Sequence, residues 1–292
     1  MDNHDEVKAF LSSRRARITP EQAGLQSYNR NRRVAGLRRS EVADLAGVSV
    51  EYYAQLERGN LAGASDSVLD ALARALRLDE AEQQHLADLA RAAGPPTHPR
   101  RKPPAQQIRP SVARTLELMT EIPAFVNNGR LDVLAANPLA QALYAPMFDD
   151  PRRPANHARF AFLNPRAREF WRDWDRIASD TVAMMRTEAG RDPYDKALTD
   201  LVGELCTRSE DFRTRWAAHD VRLHRTGTKQ FHHPVVGDLD LNFESLQVTA
   251  DPGLAMTLLS APAGSAGDDA LRMLASWAAT RQTGASVTPP RT

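Results

Sequence analysis

The stretch that decides the fold of the first part of the chain runs from Leu37 to Gly59 and reads LRRSEVADLAGVSVEYYAQLERG. Its apolar residues recur at helical spacing and predict two short helices with a common inner face, at Val42, Ala46, Tyr53 and Leu56. Gly47 lies between the two helices and suits a tight turn, and Ser49 is placed to cap the second helix. Two helices joined by a short turn that contains glycine are typical of a helix-turn-helix unit.

The residues that follow this unit predict further helices. Ser65 or Asp66 is placed to cap the next helix, and Asp79 followed by Glu82 predicts a capping box at the start of another. Gly94 follows the last apolar position of that helix and predicts a left-handed C-cap. No alternation of the kind that strands show occurs before residue 120, so the expected fold class of this part is an all-α helix-turn-helix bundle.

Shifts in composition divide the chain into four parts. The segment 94–109 contains five prolines and four Lys or Arg residues, so neither a helix nor a strand can run through it, and we expect a stiff, basic linker. A helical domain over 1–93 precedes it and a second domain over 110–281 follows. The last residues, 282–292, are rich in Thr, Pro and Gly and predict a flexible tail.

The second domain combines strand and helix patterns. Residues 127–130 (Asn-Asn-Gly-Arg) lie between two short apolar runs and have the residue types that a hairpin turn needs for positive φ. Residues 165–219 have helical spacing, and three strand patterns follow, over 229–233, 237–248 and 254–260. These patterns favour an antiparallel sheet with a helical insert, an α+β architecture.

Composition excludes several classes of protein. Hydrophobic residues at 42% and charged residues at 26% are ordinary for a globular domain. No apolar run is long enough to span a membrane, and the acidic N-terminus lacks the apolar segment of a secretory signal. The single cysteine, Cys206, cannot form an internal disulfide or a thiolate metal cage. We therefore expect a cytoplasmic protein with no membrane partner.

The net charge of +1 conceals a local asymmetry. Over the whole chain, 38 Lys and Arg residues balance 37 Asp and Glu residues. Between Arg14 and Arg39, however, eight arginines stand against a single acidic residue, Glu21. A basic strip beside a helix-turn-helix favours contact with phosphates over a merely solvated charged face.

The opening stretch resembles the helix-turn-helix of phage-repressor-type, Xre-like transcription factors, including the Glu57-Arg58-Gly59 that ends the second helix. The resemblance implies that this helix enters the major groove of double-stranded DNA by its N-terminal end. We expect Arg38 and Arg39 to lie near phosphates. The residues expected to face DNA from the second helix are Ser49, Val50, Glu51, Tyr52 and Gln55.

Two of these residues have side chains that suit particular base edges. Glu51 could accept a hydrogen bond from the amino group of cytosine, and Gln55 could pair with adenine. For Tyr52, the alternative is a half-buried aromatic residue with no base contact.

Several segments of the second domain look like the ligand-binding domain of MmyB-like transcriptional regulators. They are residues 123–126, 131–140, 188–193, 216–222, 227–229, 233–237 and 239–241. That family places such a domain after a helix-turn-helix of this kind, and the order agrees from about Phe10 to Trp277. The resemblance implies a PAS-like fold around an apolar pocket, with fatty-acid-like ligands for some members. Residues 255–259 depart from it, because relatives tend to have an aromatic residue there.

Large apolar side chains and two polar ones are the candidates for a ligand pocket: Phe162, Phe170, Trp171, Met184, Trp216, His219 and Arg222. His219 and Arg222 could hold a carboxylate head group, or they could form structural hydrogen bonds with Asp220. Aromatic and Met residues at helical spacing more often form plain core, which is the alternative for the rest.

No motif supports catalysis or a metal site. Four histidines lie close together in sequence, at 219, 224, 232 and 233, but His232 and His233 are adjacent in a predicted strand and point to opposite faces. Residues 263–267 lack the first glycine of a nucleophile elbow, so capping of the following helix is the better role. We therefore expect no enzyme, no metal and no cofactor.

The sequence as a whole predicts a DNA-binding transcriptional regulator that acts as a homodimer. An apolar, fatty-acid-like ligand in the second domain would modulate its affinity for DNA. The recognition helices of such a dimer lie about 34 Å apart to read successive major grooves. Two alternatives stay open: a DNA-binding protein with a purely dimerising second domain, and a lipid-binding protein or enzyme whose helical domain is only an interaction module.

Overall fold

The computed structural model describes residues 3–25, 34–94, 108–222 and 224–285, with side chains up to residue 280. The chain forms two compact units. The first unit comprises Met1–Arg100 and Val182–Leu223, and the second unit comprises Arg101–Thr181 and His224–Thr292. Most of the predicted linker and tail lies outside the described residues, so the predicted domain boundaries stay predictions.

The first part of the chain is helical. Its helices are α1 (Asn3–Arg17), α2 (Arg39–Ala46), α3 (Val50–Glu57), α4 (Asp66–Ala75) and α5 (Glu80–Ala93). Ser65 caps α4, and Asp79 and Glu82 form the predicted capping box, since each side chain accepts a hydrogen bond from the other's backbone N–H. Phe10, Leu37 and Leu72 are among the fully buried residues of one core that all five helices share.

The predicted left-handed C-cap at Gly94 is wrong. Gly94 has φ −71° and ψ 168°, which is extended backbone. The physical reason is Pro95, because a residue before proline is driven out of compact conformations and towards extended ones.

The rest of the chain alternates between helices and strands. In chain order its elements are α6 (Pro110–Leu118), β1 (Ala124–Asn128), β2 (Asp132–Ala136), α7 (Pro138–Leu143), α8 (Ala145–Phe148), β3 (Ala155–Asn156), α9 (His157–Leu163), α10 (Ala167–Phe170), α11 (Trp174–Arg191), α12 (Lys196–Arg208), α13 (Glu210–Ala217), β4 (Thr226–His233), β5 (Gly237–Gln247), β6 (Leu254–Ser260) and α14 (Ala266–Ala285). The division between the two units falls within α11. The helical insert from residue 182 onwards therefore belongs to the first unit.

The six strands form one antiparallel sheet in the order β3-β2-β1-β6-β5-β4. Side chains alternate across β1: Phe125 joins the large core with α7, α10 and α14, whereas Ala124 and Val126 pack with Leu116 of α6. On β4, Lys229, Phe231 and His233 are buried. The expected fold class is confirmed: an all-α helix-turn-helix part and an α+β part with an antiparallel sheet and a helical insert.

The predicted hairpin between β1 and β2 forms, but its turn differs from the expectation. The positive φ of 64° falls on Leu131 rather than within 127–130. The side-chain oxygen of Asn128 accepts hydrogen bonds of 3.0 Å from the backbone N–H groups of both Arg130 and Asp132. This local side-chain bonding, and not a primed turn, shapes the loop.

Candidate functional site

The turn between α2 and α3 is fixed by local hydrogen bonds. Gly47 ends α2 with φ 65°, a left-handed conformation that glycine adopts without strain. Ser49 has extended backbone, and its hydroxyl accepts a 3.1 Å hydrogen bond from the N–H of Tyr52, so it caps α3 as predicted. The turn therefore sets the direction in which α3 leaves α2.

The inner faces of the two helices are fully buried. Val42, Ala43 and Tyr53 are 0% exposed and Leu56 is 1% exposed. Ala43 has no side chain beyond Cβ, so the two helices can approach closely at this position. This packing confirms the inner positions that the helical spacing predicts.

The predicted DNA-facing residues share the opposite, accessible side. Ser49, Val50, Glu51 and Gln55 are exposed, and they gather at the N-terminal end and outer face of α3. Tyr52 is half-buried and packs partly against the core, which is the alternative that the sequence left open for it. Arg39 is exposed and Arg38 half-buried at the start of α2.

Glu57, the last residue of α3, has a structural role that the sequence analysis missed. Its side chain is 1% exposed and accepts hydrogen bonds from Arg15 at 2.6 Å and from Arg39. Arg15 also donates to the carbonyl of Leu37 at 2.8 Å. One carboxylate thus joins α1, α2 and α3, and its hydrogen bond raises the pKa of Arg39 above the ordinary value. The side chain of Arg39 is 55% exposed, so it is oriented by Glu57 and still presents donors to solvent.

The motif Glu57-Arg58-Gly59 ends in glycine because the backbone of α1 lies directly against that position. The φ of Gly59 is 109°, and a Cβ built on it would lie 2.7 Å from the Cα of His4 in α1. No side chain fits there, so the chain after α3 packs directly on the backbone of α1.

Part of the arginine-rich strip serves the fold rather than DNA. Arg14 is 2% exposed and binds Glu82 at 2.7 Å. Arg17 contacts both Glu82 and Asp220. Residues 26–33, which hold three further arginines of the strip, lie outside the described residues. Among the described arginines of the strip, Arg38 and Arg39 remain the candidates for phosphate contact.

The predicted pocket residues are distributed over both units. Phe170 and Trp171 are buried in the core of the second unit, and the half-buried Phe162 packs against that core. The other four fall in the first unit: Met184, Trp216, His219 and Arg222. The structure therefore does not bring all seven residues into one compact unit, and their contact with a ligand stays a prediction.

Two of those four residues belong to a buried ionic network. Arg186 is 0% exposed, donates to the carboxylate of Glu6 and to the carbonyl of Trp216, and has its guanidinium 4.1 Å from the Trp216 ring centre. His219 Nδ1 lies 2.9 Å from Arg186 and accepts, because a guanidinium only donates. Burial would raise the pKa of Glu6, but the neighbouring His219 and His85 and the charge and hydrogen bond of Arg186 hold it below the ordinary value.

The core of the second unit contains a cluster of aromatic rings around Tyr144. The ring centroid of Tyr144 lies 5.6 Å from Phe125, 5.2 Å from His157, 5.8 Å from Trp171 and 5.8 Å from Phe231. Tyr144 is 1% exposed and burial raises its pKa. Phe170 belongs to the same cluster, at 4.9 Å from Trp171. We call these six residues the aromatic cluster: Phe125, Tyr144, His157, Phe170, Trp171 and Phe231.

Lys229 borders the aromatic cluster and was assigned no role by the sequence analysis. Its side-chain nitrogen lies 5.8 Å from the Trp171 ring centroid and 4.8 Å from that of Phe243. Burial lowers its pKa to about 8, and the charge of Asp180 opposes that shift. The signal that could have found it is the period of two on β4, which places a lysine on the same face as Phe231 and His233.

The histidines and the 263–267 loop have structural partners. His232 is exposed and binds Asp238 at 2.6 Å, whereas His233 is buried and donates to the carbonyl of Ala142 at 3.1 Å, so the two face opposite sides as predicted. Ser265 accepts from the N–H of Asp268 and caps α14. Within the described ranges, no three His, Cys, Asp or Glu side chains come together as metal ligands would. No helix there combines the length and apolar character that crossing a bilayer requires.

Comparison with known families agrees with both parts of the fold. Residues 108–274, more than half of the chain, match the family described as the MmyB-like transcription regulator ligand binding domain. Residues 14–86 match a helix-turn-helix domain. No curated protein matches the chain. The helical insert from residue 182 is therefore part of the match to the ligand-binding domain. The same insert belongs to the compact unit that contains the helix-turn-helix.

Proposed function

The chain belongs to the MmyB-like transcription regulators, DNA-binding proteins with a ligand-binding domain, and we propose that it reads its operator as a cytoplasmic homodimer under the control of an apolar, fatty-acid-like ligand. The observation that carries the DNA half of this proposal is the accessible N-terminal end of α3. Ser49, Val50, Glu51 and Gln55 are exposed there on two helices whose inner faces are fully buried. A rigid scaffold with exposed polar side chains suits insertion into a major groove.

Four residues of the expected DNA interface have a specific role in the proposal. Gln55 pairs with adenine and Glu51 accepts from cytosine, while Arg38 and Arg39 contact phosphates. The hydrogen bond between Arg39 and Glu57 supports this role, because it orients the guanidinium before DNA arrives and reduces the entropy lost on binding.

A band-shift titration on a selected operator tests the DNA contacts. We expect Gln55→Ala to weaken specific binding about 10-fold or more, since one good bidentate base contact is worth about 1–3 kcal/mol. The matched control is Gln84→Ala, which changes an exposed glutamine on α5. Binding that is unchanged by Gln55→Ala, or equally weakened by Gln84→Ala, contradicts the assigned surface.

The ligand half of the proposal is supported by the match of residues 108–274 to a ligand-binding domain and by the aromatic cluster in the core of the second unit. A ligand that binds one conformation of this core better than another shifts the population of that conformation.

Two measurements test the ligand and the assembly. Native mass spectrometry of the purified protein before and after solvent extraction shows whether a small apolar molecule is carried, and band shifts of the extracted protein with and without that molecule show whether it changes affinity for DNA. Light scattering of the free protein gives its oligomeric state. An extracted protein that binds the operator with the same affinity in both conditions contradicts ligand control, and a monomer both free and on the operator contradicts the dimer.

A further inference from the structure

A histidine is enclosed in the unit that contains the helix-turn-helix. The side chain of His85 on α5 is 0% exposed, and neither of its ring nitrogens has a hydrogen-bond partner among the described residues. The carboxylate of Glu6 on α1 lies 3.9 Å from Nε2, which is too long for a hydrogen bond. Buried polar groups in folded proteins are nearly always paired, so a histidine with two unpaired nitrogens calls for an explanation.

Helices on two sides close over this ring. The ring of Phe10 on α1 meets it edge to face, with the centroids 5.0 Å apart. On the side of α11, a Cβ built on Gly190 would lie 2.4 Å from Cε1 and 2.6 Å from Nδ1 of His85. The backbone of α11 therefore lies directly on the ring, and water reaches the nitrogens only if the helices separate at this point.

The charged groups that face His85 already have partners. Glu6 of α1 binds the guanidinium of Arg186 on α11. Asp88, on the same helix as His85, binds Arg91 at 2.5 Å. A neutral His85 leaves these two ion pairs balanced, whereas a protonated His85 adds a buried positive charge beside Arg186.

The helices that meet at His85 belong to two separate segments of the chain, the helical bundle of α1 to α5 and the insert, residues 182–223. Further contacts join the same two segments. His219, which follows α13, accepts a hydrogen bond from Arg186 at 2.9 Å, and its carbonyl accepts one from Arg14 of α1 at 2.6 Å. Val221 packs in the core of the bundle. His85 thus lies at the place where the insert is held on the bundle.

Burial lowers the pKa of His85 below its ordinary value of 6.5. The carboxylates of Glu6 and Asp88 oppose that shift, and the charge of Arg186 reinforces it. A histidine that is released to water takes up a proton near pH 6.5, so the separated state binds more protons than the closed state. The contact therefore weakens as pH falls below about 6.5.

Glu188, also on the insert, acts in the opposite direction. Burial raises the pKa of Glu188, the charge of Arg191 opposes that shift, and Asp88 is among the acidic groups that reinforce it. A group whose pKa is higher in the closed state binds its proton more tightly there, so protonation of Glu188 in acid strengthens the contact. A variant of His85 alone separates the two effects.

We propose that His85 makes the contact between the helical bundle and the insert a pH-sensitive latch, which is closed while the ring is neutral and which protonation of the ring in mild acid releases. The latch goes beyond the proposed function, because it concerns how the unit with the helix-turn-helix is held together and requires neither DNA nor a ligand.

Hydrogen exchange of the full-length protein, read by mass spectrometry at about pH 7.5 and 5.5 and corrected for intrinsic rates, tests the latch. We expect amides of residues 182–191 to lose protection about 5- to 10-fold at the lower pH, because one histidine with an ordinary pKa of 6.5 shifts the equilibrium by up to about 10-fold per pH unit. Amides of β5 and β6 in the second unit are the internal reference. Equal protection of residues 182–191 at both pH values overturns the proposal.

His85→Leu removes the titrating group and keeps roughly the volume of the side chain. Because the two nitrogens are unpaired in the closed state, we expect the variant to fold with an unchanged or higher melting temperature. Its residues 182–191 should be equally protected at both pH values. A loss of protection in His85→Leu as large as that of the wild type overturns the assignment to His85.

A second variant decides between the two histidines of the contact. His219 has a φ of 54°, a left-handed conformation that asparagine tolerates, so His219→Asn removes its ring with little strain. This variant should keep the pH response of residues 182–191. If the response is lost in His219→Asn, the titrating group is His219 and the proposal for His85 is wrong.

A measurement on the wild type keeps the test independent of any variant. Exchange of the Cε1 proton of histidine requires access of solvent to the ring, so we expect exchange at His85 to be slower than at His232 by about 10-fold or more at pH 7.5. The side chain of His232 is 59% exposed and serves as the reference. Equal rates at the two positions would show that the ring of His85 is open to water at neutral pH, and would overturn the latch.

Band shifts of the same samples separate the latch from the proposed function. A protein that shifts the operator while residues 182–191 are equally protected at both pH values contradicts the latch and leaves DNA binding intact. A pH-dependent contact in a protein that never shifts duplex DNA supports the latch and contradicts the regulator.

Discussion

The buried carboxylate of Glu57, at the end of α3, binds the guanidinium of Arg39 at the start of α2. The two helices of the helix-turn-helix, α2 and α3, are thereby joined at their far ends, while Gly47 and Ser49 fix them at the turn. The second oxygen of Glu57 binds Arg15 of α1, so the same group also fixes both helices to the rest of the bundle.

Glu57→Gln is expected to destabilise the first unit by about 1–3 kcal/mol, because an amide replaces one of the oxygens that accept from the two arginines. Urea unfolding followed by circular dichroism measures the change. Glu51→Gln, an exposed position one helix turn or more away, serves as the control and should stay within about 0.5 kcal/mol of the wild type. Equal stability of the two variants would contradict the role given to Glu57.

Gly59→Ala and Gly63→Ala form a matched pair. Both glycines have positive φ, 109° and 81°, so each substitution should cost about 1–2 kcal/mol in backbone strain. A Cβ at Gly63 meets nothing within 4 Å, whereas one at Gly59 lies 2.7 Å from the backbone of His4. We therefore expect Gly59→Ala to lose at least about 1 kcal/mol more than Gly63→Ala in thermal unfolding, because α1 must shift. If Gly59→Ala loses no more stability than Gly63→Ala, the contact between Gly59 and the backbone of α1 does not limit the side chain at this position.

Arg38→Ala is expected to reduce the salt dependence of operator binding. Each phosphate contact contributes about 0.9 to the slope of log K against log salt concentration. The slope of the variant should therefore be shallower by about 1 for each protomer bound, because each protomer loses one arginine. Band shifts between about 50 and 200 mM salt measure it. Arg74→Ala, which removes an exposed arginine on α4, should leave the slope unchanged; a slope unaltered by Arg38→Ala would remove this residue from the interface.

Lys229 should make the stability of the second unit depend on alkaline pH. Its pKa is about 8 in the folded protein against 10.5 ordinarily, so the unfolded chain binds the proton more tightly. Stability therefore rises as pH increases from about 8 to 10.5, by up to about 3 kcal/mol at roughly 1.4 kcal/mol per pKa unit. The neighbouring charged or titratable groups are Asp180, Arg176 and His157. Denaturant unfolding of the wild type and of Lys229→Met over this range isolates the effect; parallel curves would contradict it.

Local features of the fold could be predicted from sequence because a few adjacent residues determine them. Ser49, Ser65 and the Asp79–Glu82 pair cap their helices as expected, since each accepts a hydrogen bond from an N–H group three residues away. The failure at Gly94 is also local: the left-handed cap was expected from the glycine alone, although Pro95 favours an extended backbone.

The contacts that give the sites their chemistry join residues that are distant in sequence. Arg186 and Glu6 are 180 positions apart, and Glu57 and Arg15 are 42 apart. Plain core was the alternative to a ligand pocket for Phe170 and Trp171, and both are buried in a core, but no periodicity shows that Trp171 lies beside Lys229 of a later strand. The exposed face of α3 was easier to predict than a ligand site because one contiguous motif contains it.

The position of Arg186 limits how this protein can be recombined with its relatives. Exchange of residues 1–93 alone would separate Glu6 from a guanidinium that is 0% exposed, and leaving a buried charge without its partner is strongly destabilising, at about 3–5 kcal/mol. A replacement for residues 1–93 must therefore keep an acidic residue at position 6, or residues 182–223 must be replaced together with it. The compact unit that contains the helix-turn-helix is therefore discontinuous in the sequence.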